Sequence, residues 1–121
     1  MKPAILLVDH GSRHREANLQ LESLAERVRQ RLPERVVEIA HLELAAPDLA
    51  AGFEACVAAG AREIVIHPFF LAPGRHLSRD IPARAREAAA RHEGLQVRIS
   101  APLGLHEKLV DVVLERIESA G

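Results

Sequence analysis

Four short apolar stretches, each followed by a segment with helical periodicity, constrain this chain more than any other feature. Ala4 to Asp9 (AILLVD) is an apolar run without polar alternation, which suits a strand covered on both faces. After the turn His10-Gly11-Ser12-Arg13, Leu21, Leu24, Ala25 and Val28 recur at helical spacing, predicting a helix from Glu16 to Leu32 that Pro33 ends. Val36 to Leu44 reads as a second strand carrying Glu43 near its end, and Pro47-Asp48 opens a second helix running to about Gly60. Glu63 to Phe70 (EIVIHPFF) is the third strand, followed by a Pro- and Gly-punctuated loop, Leu71 to Asp80. A third helix is expected from about Ser78 or Asp80 to His92, a fourth strand from Gln96 to Ala101, and an amphipathic helix from His106 to Ser119. Strands alternating with helices predict an α/β fold with a four-stranded parallel sheet and helices on both faces. With 121 residues and no linker or repeat, residues 1–121 read as a single domain.

In sheets of this kind ligands bind outside the carboxyl ends of the strands. That rule gathers His10 to Arg13, Glu43, the loop from Phe70 to His76, and Pro102 to Gly104 at one edge. His10 follows a buried strand directly and precedes Gly11, so it stands at the rim. Imidazole is both a ligand for Fe, Co, Ni and Zn and a base near neutral pH; the plainer alternative is a histidine that caps the turn. Glu43, between Leu42 and Leu44, reads as a carboxylate held by a metal or by one of the many arginines, since burying it alone is costly. His76 is in a setting where surface histidine is the default, and it gains interest from its expected place near His10. Arg13, Arg15, Arg75 and Arg79 cluster at the same edge, and guanidinium forks recognise carboxylate or phosphate. Phe69, Phe70 and Leu71 would give that edge an apolar floor, a combination suited to a flat ligand rimmed with carboxylates. Among the remaining histidines, His14 and His92 read as solvated, His41 as a satisfied core residue, His106 as a helix start, and His67 as support behind the site.

Composition narrows the function classes. Sixteen basic residues against seventeen acidic ones give a formal charge of −1, so nothing points to nucleic acid. Aromatic content is 2 %, with no Trp or Tyr, which leaves no platform for stacking bases. The single cysteine, Cys56, excludes an internal disulfide or a cysteine-rich metal site and fits a reducing compartment. No apolar run approaches a membrane span or a secretory core, so a cytoplasmic protein with no membrane partner is expected. No Walker loop, GxGxxG, nucleophile elbow or CxxC is present.

Four segments carry a family resemblance: LLVDHGSRHREAN (residues 6–18), HLELAAPDL (41–49), HPFFLAPGRHLSRDIP (67–82) and APLGLHEKLVDVVLERI (101–117). In this order they resemble the small sirohydrochlorin chelatases of the CbiX and SirB type. The resemblance implies a chelatase-like three-layer domain and insertion of a divalent metal into sirohydrochlorin, for sirohaem or cobalamin. It implies His10, His76 and Glu43 as metal ligands, with His10 also the proton acceptor. The loop Leu71, Ala72, Pro73, Gly74, Arg75 and His76 would contact the macrocycle. Ser12, Arg13 and Phe70 complete the expected substrate-binding set, with Arg13 and Arg75 assigned on their charge. No permanently bound cofactor is expected; Fe2+, Co2+ or Ni2+ enters as substrate. Asp9 and the APLGLHE segment are similar to plant and cyanobacterial ferrochelatases, many relatives having Gly where this chain has Asp9. The cysteine-bearing extension of the plant proteins has no counterpart here, which keeps cobalt beside iron. Longer members join two such domains across a cleft, so a homodimer is expected, with the site near its two-fold axis. Two rival readings are a metal carrier using His10 and His76 without chemistry, and a phosphatase-like enzyme with His10 as nucleophile.

Overall fold

The computed structural model describes residues 2–72 and 74–121; Pro73, expected in the substrate loop, lies outside the described residues. Strands β1 (Ala4–Asp9), β2 (Val37–His41), β3 (Glu63–Pro68) and β4 (Gln96–Ile99) alternate with helices α1 (Arg15–Arg31), α2 (Leu49–Ala58), α3 (Gly74–Ala89) and α4 (Glu107–Ser119). The strands form one parallel sheet in the order β2-β1-β3-β4. β1 therefore lies inside the sheet, which is why its sequence is apolar without alternation: Leu6 and Val8 are fully buried on one face and Leu7 is buried on the other.

Each face has its own core. Leu6, Val8, Ile64 and Ile66 pack with Phe53 and Cys56 of α2 and with Ile81, Ala85 and Ala88 of α3. Across the sheet, Leu7 and Val37 pack with Leu21 and Ala25 of α1. The approach of α2 is close enough to require Gly52, where a Cβ would stand 2.9 Å from Leu6 Cδ1 and 3.0 Å from Ala40 Cβ. Arg29 of α1 donates to the Val37 carbonyl from Nη2 at 2.7 Å and from Nε at 3.0 Å, satisfying an acceptor on the outer strand. Asp48 caps α2 as expected, accepting from the Ala51 N–H at 2.9 Å.

Boundaries differ where the chain leaves the sheet. β2 stops at His41 rather than Leu44, because Leu44 takes a left-handed φ of 70° and turns the chain away. β3 stops at Pro68, since the Phe70 N–H folds back onto the Pro68 carbonyl at 2.9 Å. The largest correction concerns α3, which begins at Gly74 instead of Ser78 or Asp80. Pro82 stands inside the helix, where the missing N–H leaves the carbonyl one turn back without its usual donor. Gly74, Arg75 and His76 are thus first-turn helical residues rather than loop residues. α4 has no buried residue and no extensive packing against any other element.

Candidate functional site

The turn after β1 is built by backbone and two side chains. Asn18, in the first turn of α1, accepts from the Ser12 N–H at 2.9 Å and donates back to the Ser12 carbonyl at 2.8 Å. The Ser12 hydroxyl accepts from the His14 N–H at 3.0 Å. Gly11 has φ 94°, and a Cβ there would lie 1.8 Å from the Glu43 carbonyl oxygen, so the turn and the chain beyond β2 meet in van der Waals contact. The ladder continues past the strands: Leu42 N–H donates to the Asp9 carbonyl at 2.9 Å and Glu43 N–H to the His10 carbonyl at 3.0 Å.

These restraints bring two expected residues together. His10 Nε2 stands 2.8 Å from Glu43 Oε1, with side chains 47 % and 57 % exposed. The reading of Glu43 as a buried carboxylate between two apolar neighbours is corrected: Leu42 is buried, but Leu44 is 54 % exposed, and the partner of the carboxylate is His10 rather than an arginine. One residue behind this pair, Asp9 Oδ1 and His41 Nδ1 meet at 2.5 Å, with the His41 side chain buried. Asp9 and His41 are also register partners across β1 and β2, so the bond joins the two strand ends that carry His10 and Glu43. Asp9 and Asn18 were missed as site-building residues. The only available signals were a carboxylate ending an apolar strand and a poor helix former in a first helical turn.

The second expected group sits on the segment after β3. Phe69 N–H donates to the Val8 carbonyl at 2.7 Å, fixing the start of this segment beside β1. Phe70 is half-buried against the core, whereas Leu71, Ala72, Gly74, Arg75 and His76 are exposed, as is Arg13 in the turn after β1. Leu103 N–H and Gly104 N–H donate to the Phe70 and Leu71 carbonyls at 2.9 and 3.0 Å, tying the segment beyond β4 to the same loop. Arg75, His76, Arg79, Asp80 and Ala83 line a cleft of about 480 Å3 on α3. Two guanidinium groups in that cleft give it the charge to hold carboxylates.

The structure pairs His10 with Glu43 but records no contact from either to His76. Among the described residues no group of three or more His, Cys, Asp and Glu side chains is placed to hold an ion. His67 serves the fold rather than touching His10: its Nδ1 lies 2.9 Å from Ser100 Oγ, linking β3 to the chain after β4. Burial pushes the His67 imidazole below its usual range, partly opposed by a hydrogen bond to the Ala101 backbone. His14 is exposed at the start of α1, and His106 caps α4 by accepting from the Lys108 N–H at 3.0 Å. His92, read as solvated, is instead largely covered and lies 2.9 Å from Glu54 Oε1.

Residues 4–120 match the CbiX family model. The chain belongs to the CbiX family. This CbiX chain is 46 % identical over 114 residues to the chloroplastic sirohydrochlorin ferrochelatase of Arabidopsis thaliana, a match covering 94 % of the chain and 51 % of the plant protein. Its fold matches SirB from Bacillus subtilis with Fe3+ at a TM-score of 0.89 and 36 % identity, covering 100 % of this chain and 48 % of that one. A CbiX protein from Marinobacter aquaeolei VT8 matches at a TM-score of 0.81 and 33 % identity, with 98 % and 99 % of the two chains covered. The CbiX chain thus spans about half the length of the plant and Bacillus relatives.

Proposed function

We propose that this chain inserts a divalent metal, Fe2+ or Co2+, into sirohydrochlorin. The observation that carries the reading is the solvent-facing His10–Glu43 pair at the carboxyl edge of the sheet, 2.8 Å apart. Insertion requires the metal to lose bound water and the macrocycle to lose its inner pyrrole protons. A substrate metal must also leave, so a sparse protein ligand set with open positions suits transfer better than a closed cage. His10 presents the metal and, as the metal leaves it, takes one of the two pyrrole protons, the other passing to solvent; Glu43, already hydrogen-bonded to His10, holds the ring and stabilises the imidazolium that forms. His76 is the third group we assign to the metal, at the first turn of α3. Arg13 and Arg75 pair with the carboxylates of the macrocycle, while Ser12 and the segment Phe70, Leu71, Ala72, Pro73 and Gly74 border its face. No resident cofactor is needed. The working unit we infer is a cytoplasmic homodimer with the site near its two-fold axis.

The test is anaerobic absorbance of sirohydrochlorin with purified protein, adding Fe2+, Co2+ or Ni2+ in separate runs against no-enzyme controls. Accelerated conversion establishes a chelatase, and the relative kcat/KM values rank the metals. His10→Ala should abolish the acceleration. Metal binding without any spectral conversion would instead make the protein a carrier.

A further inference from the structure

The cleft on α3 holds more positive charge than the chemistry described so far uses. Arg75 and Arg79 both line it, and both are exposed. They share one face of the helix, and at about 1.5 Å of rise per residue they stand roughly 6 Å apart along its axis. Like charges one turn apart cost a helix stability unless something offsets them. Among the described residues nothing does, since neither guanidinium has a carboxylate within ion-pair distance. Asp80, the carboxylate that lines the same cleft, leans toward Arg84 instead, with Oδ2 3.9 Å from Nη1.

Several other arginines have partners within the fold. Arg29 and Arg35 donate to the carbonyls of Val37 and Pro3, and Arg98 pairs with Glu63 at 3.0 Å. Arg79 has no such partner. It follows Arg75 by one helical turn and lies beside His76 on the same cleft, and Ala83, one turn further on, is too small to fill the space. A guanidinium fork holds a carboxylate through two parallel N–H donors, so the cleft offers two forks side by side. Tetrapyrroles of the sirohydrochlorin type carry their acid arms in pairs, an acetate and a propionate on neighbouring carbons of one pyrrole ring. Two flexible arms on adjacent carbons can reach two forks one turn apart.

We propose that Arg79 determines specificity: together with Arg75 it clamps both acid arms of one pyrrole ring, so the protein selects macrocycles with paired carboxylates over those with single ones. Arg75 alone accepts any propionate. The second fork is satisfied only by a second arm on the same ring, and a methyl in that place leaves Arg79 in water beside a like charge. Because His76 is on the same stretch of helix, the clamp also fixes which edge of the macrocycle faces α3. The proposal rests on the reading of the site as one for sirohydrochlorin, and its test measures binding without metal so that the two stand or fall separately.

Metal-free uroporphyrin III carries an acetate and a propionate on every ring, and coproporphyrin III has a methyl in place of each acetate. Each is titrated with the protein and followed by porphyrin fluorescence. The parent should bind uroporphyrin more tightly. Arg79→Gln should weaken uroporphyrin binding about fivefold, the upper end for an exposed pair, and coproporphyrin binding less than about twofold. Arg86→Gln makes the same charge change at an exposed position of α3 outside the cleft and should move neither. Thermal melts should show Arg79→Gln no less stable than the parent, because it removes a like-charge neighbour. Equal loss for both porphyrins, loss for neither, the same loss in Arg86→Gln, or a parent that binds neither overturns the proposal. If the parent converts sirohydrochlorin while Arg79→Gln shifts neither probe, the clamp alone fails. If the expected shifts appear without any conversion, the clamp stands and the chelatase reading fails.

Discussion

At Gly11 the first turn passes so close to the carbonyl of Glu43 that no side chain fits, and the backbone adopts a conformation that L side chains rarely enter. The His10–Glu43 geometry therefore depends on a missing methyl group. Gly11→Ala should lower kcat/KM for the proposed metal insertion by about 100-fold, the scale set by an ångström-sized misplacement of a reacting group, while the sheet stays folded. A spectral assay beside a thermal melt checks both halves; a variant with full activity would show that the close approach is incidental. His67 gives a second prediction at this scale. Its folded pKa is depressed by burial, so the folded state favours the neutral ring and the unfolded state binds more protons. The contribution is fully present above the unfolded value of 6.5 and is lost as pH falls below it toward the folded pKa. His67→Asn, which can keep a partner for Ser100, should flatten the loss of urea-unfolding stability between about pH 7 and about pH 5 relative to the parent.

Among the elements, α2 does most to fix the sheet. Phe53 is 1 % exposed in the core that α2 and α3 share with the sheet, with Gly52 allowing the close approach beside it. Phe53→Ala should cost about 3–5 kcal/mol of unfolding free energy, read from denaturant midpoints, because the lost transfer energy and the cavity add. Helix α3 does a different job: starting at Gly74, it places Arg75 and His76 on its first turn, with Arg79 one turn on along the same cleft. The Ser78 hydroxyl donates to the Gly74 carbonyl at 2.6 Å, supporting the turn ahead of Pro82.

For the molecule as a whole, each face of the sheet carries a core and the candidate site lies at its carboxyl edge. Cys56 lies in the larger core, where burial first and the Glu38 carboxylate second push its thiol up to about 12. It should resist a maleimide at neutral pH in the native protein and react at the rate of global unfolding as denaturant is added. Modification well below the unfolding midpoint would instead reveal local opening of α2. The backbone ties Leu42–Asp9, Glu43–His10, Phe69–Val8 and Leu103–Phe70 join the chain segments of the carboxyl edge, so residues far apart in sequence are held side by side.

What the sequence determined by itself was the layer order and the edge. Unbroken apolar runs such as AILLVD require cover on both faces, and strand–helix alternation leaves a parallel sheet as the way to supply it. The position of His10 followed from the same logic, since a histidine one residue beyond a buried strand has only the rim to occupy. The tertiary structure decided the rest. Glu43 meets His10 because Gly11 and the Leu44 bend bring two turns into contact, and no local pattern encodes a contact across thirty residues. His41 and Asp9 pair because of strand register, which depends on which strands are neighbours. Helix α3 runs through Pro82 because packing of Ile81, Ala85 and Ala88 outweighs the local preference for stopping there. The amphipathic pattern of α4 was legible, but an apolar stripe names no partner, and only the packed chain shows that it finds none within itself.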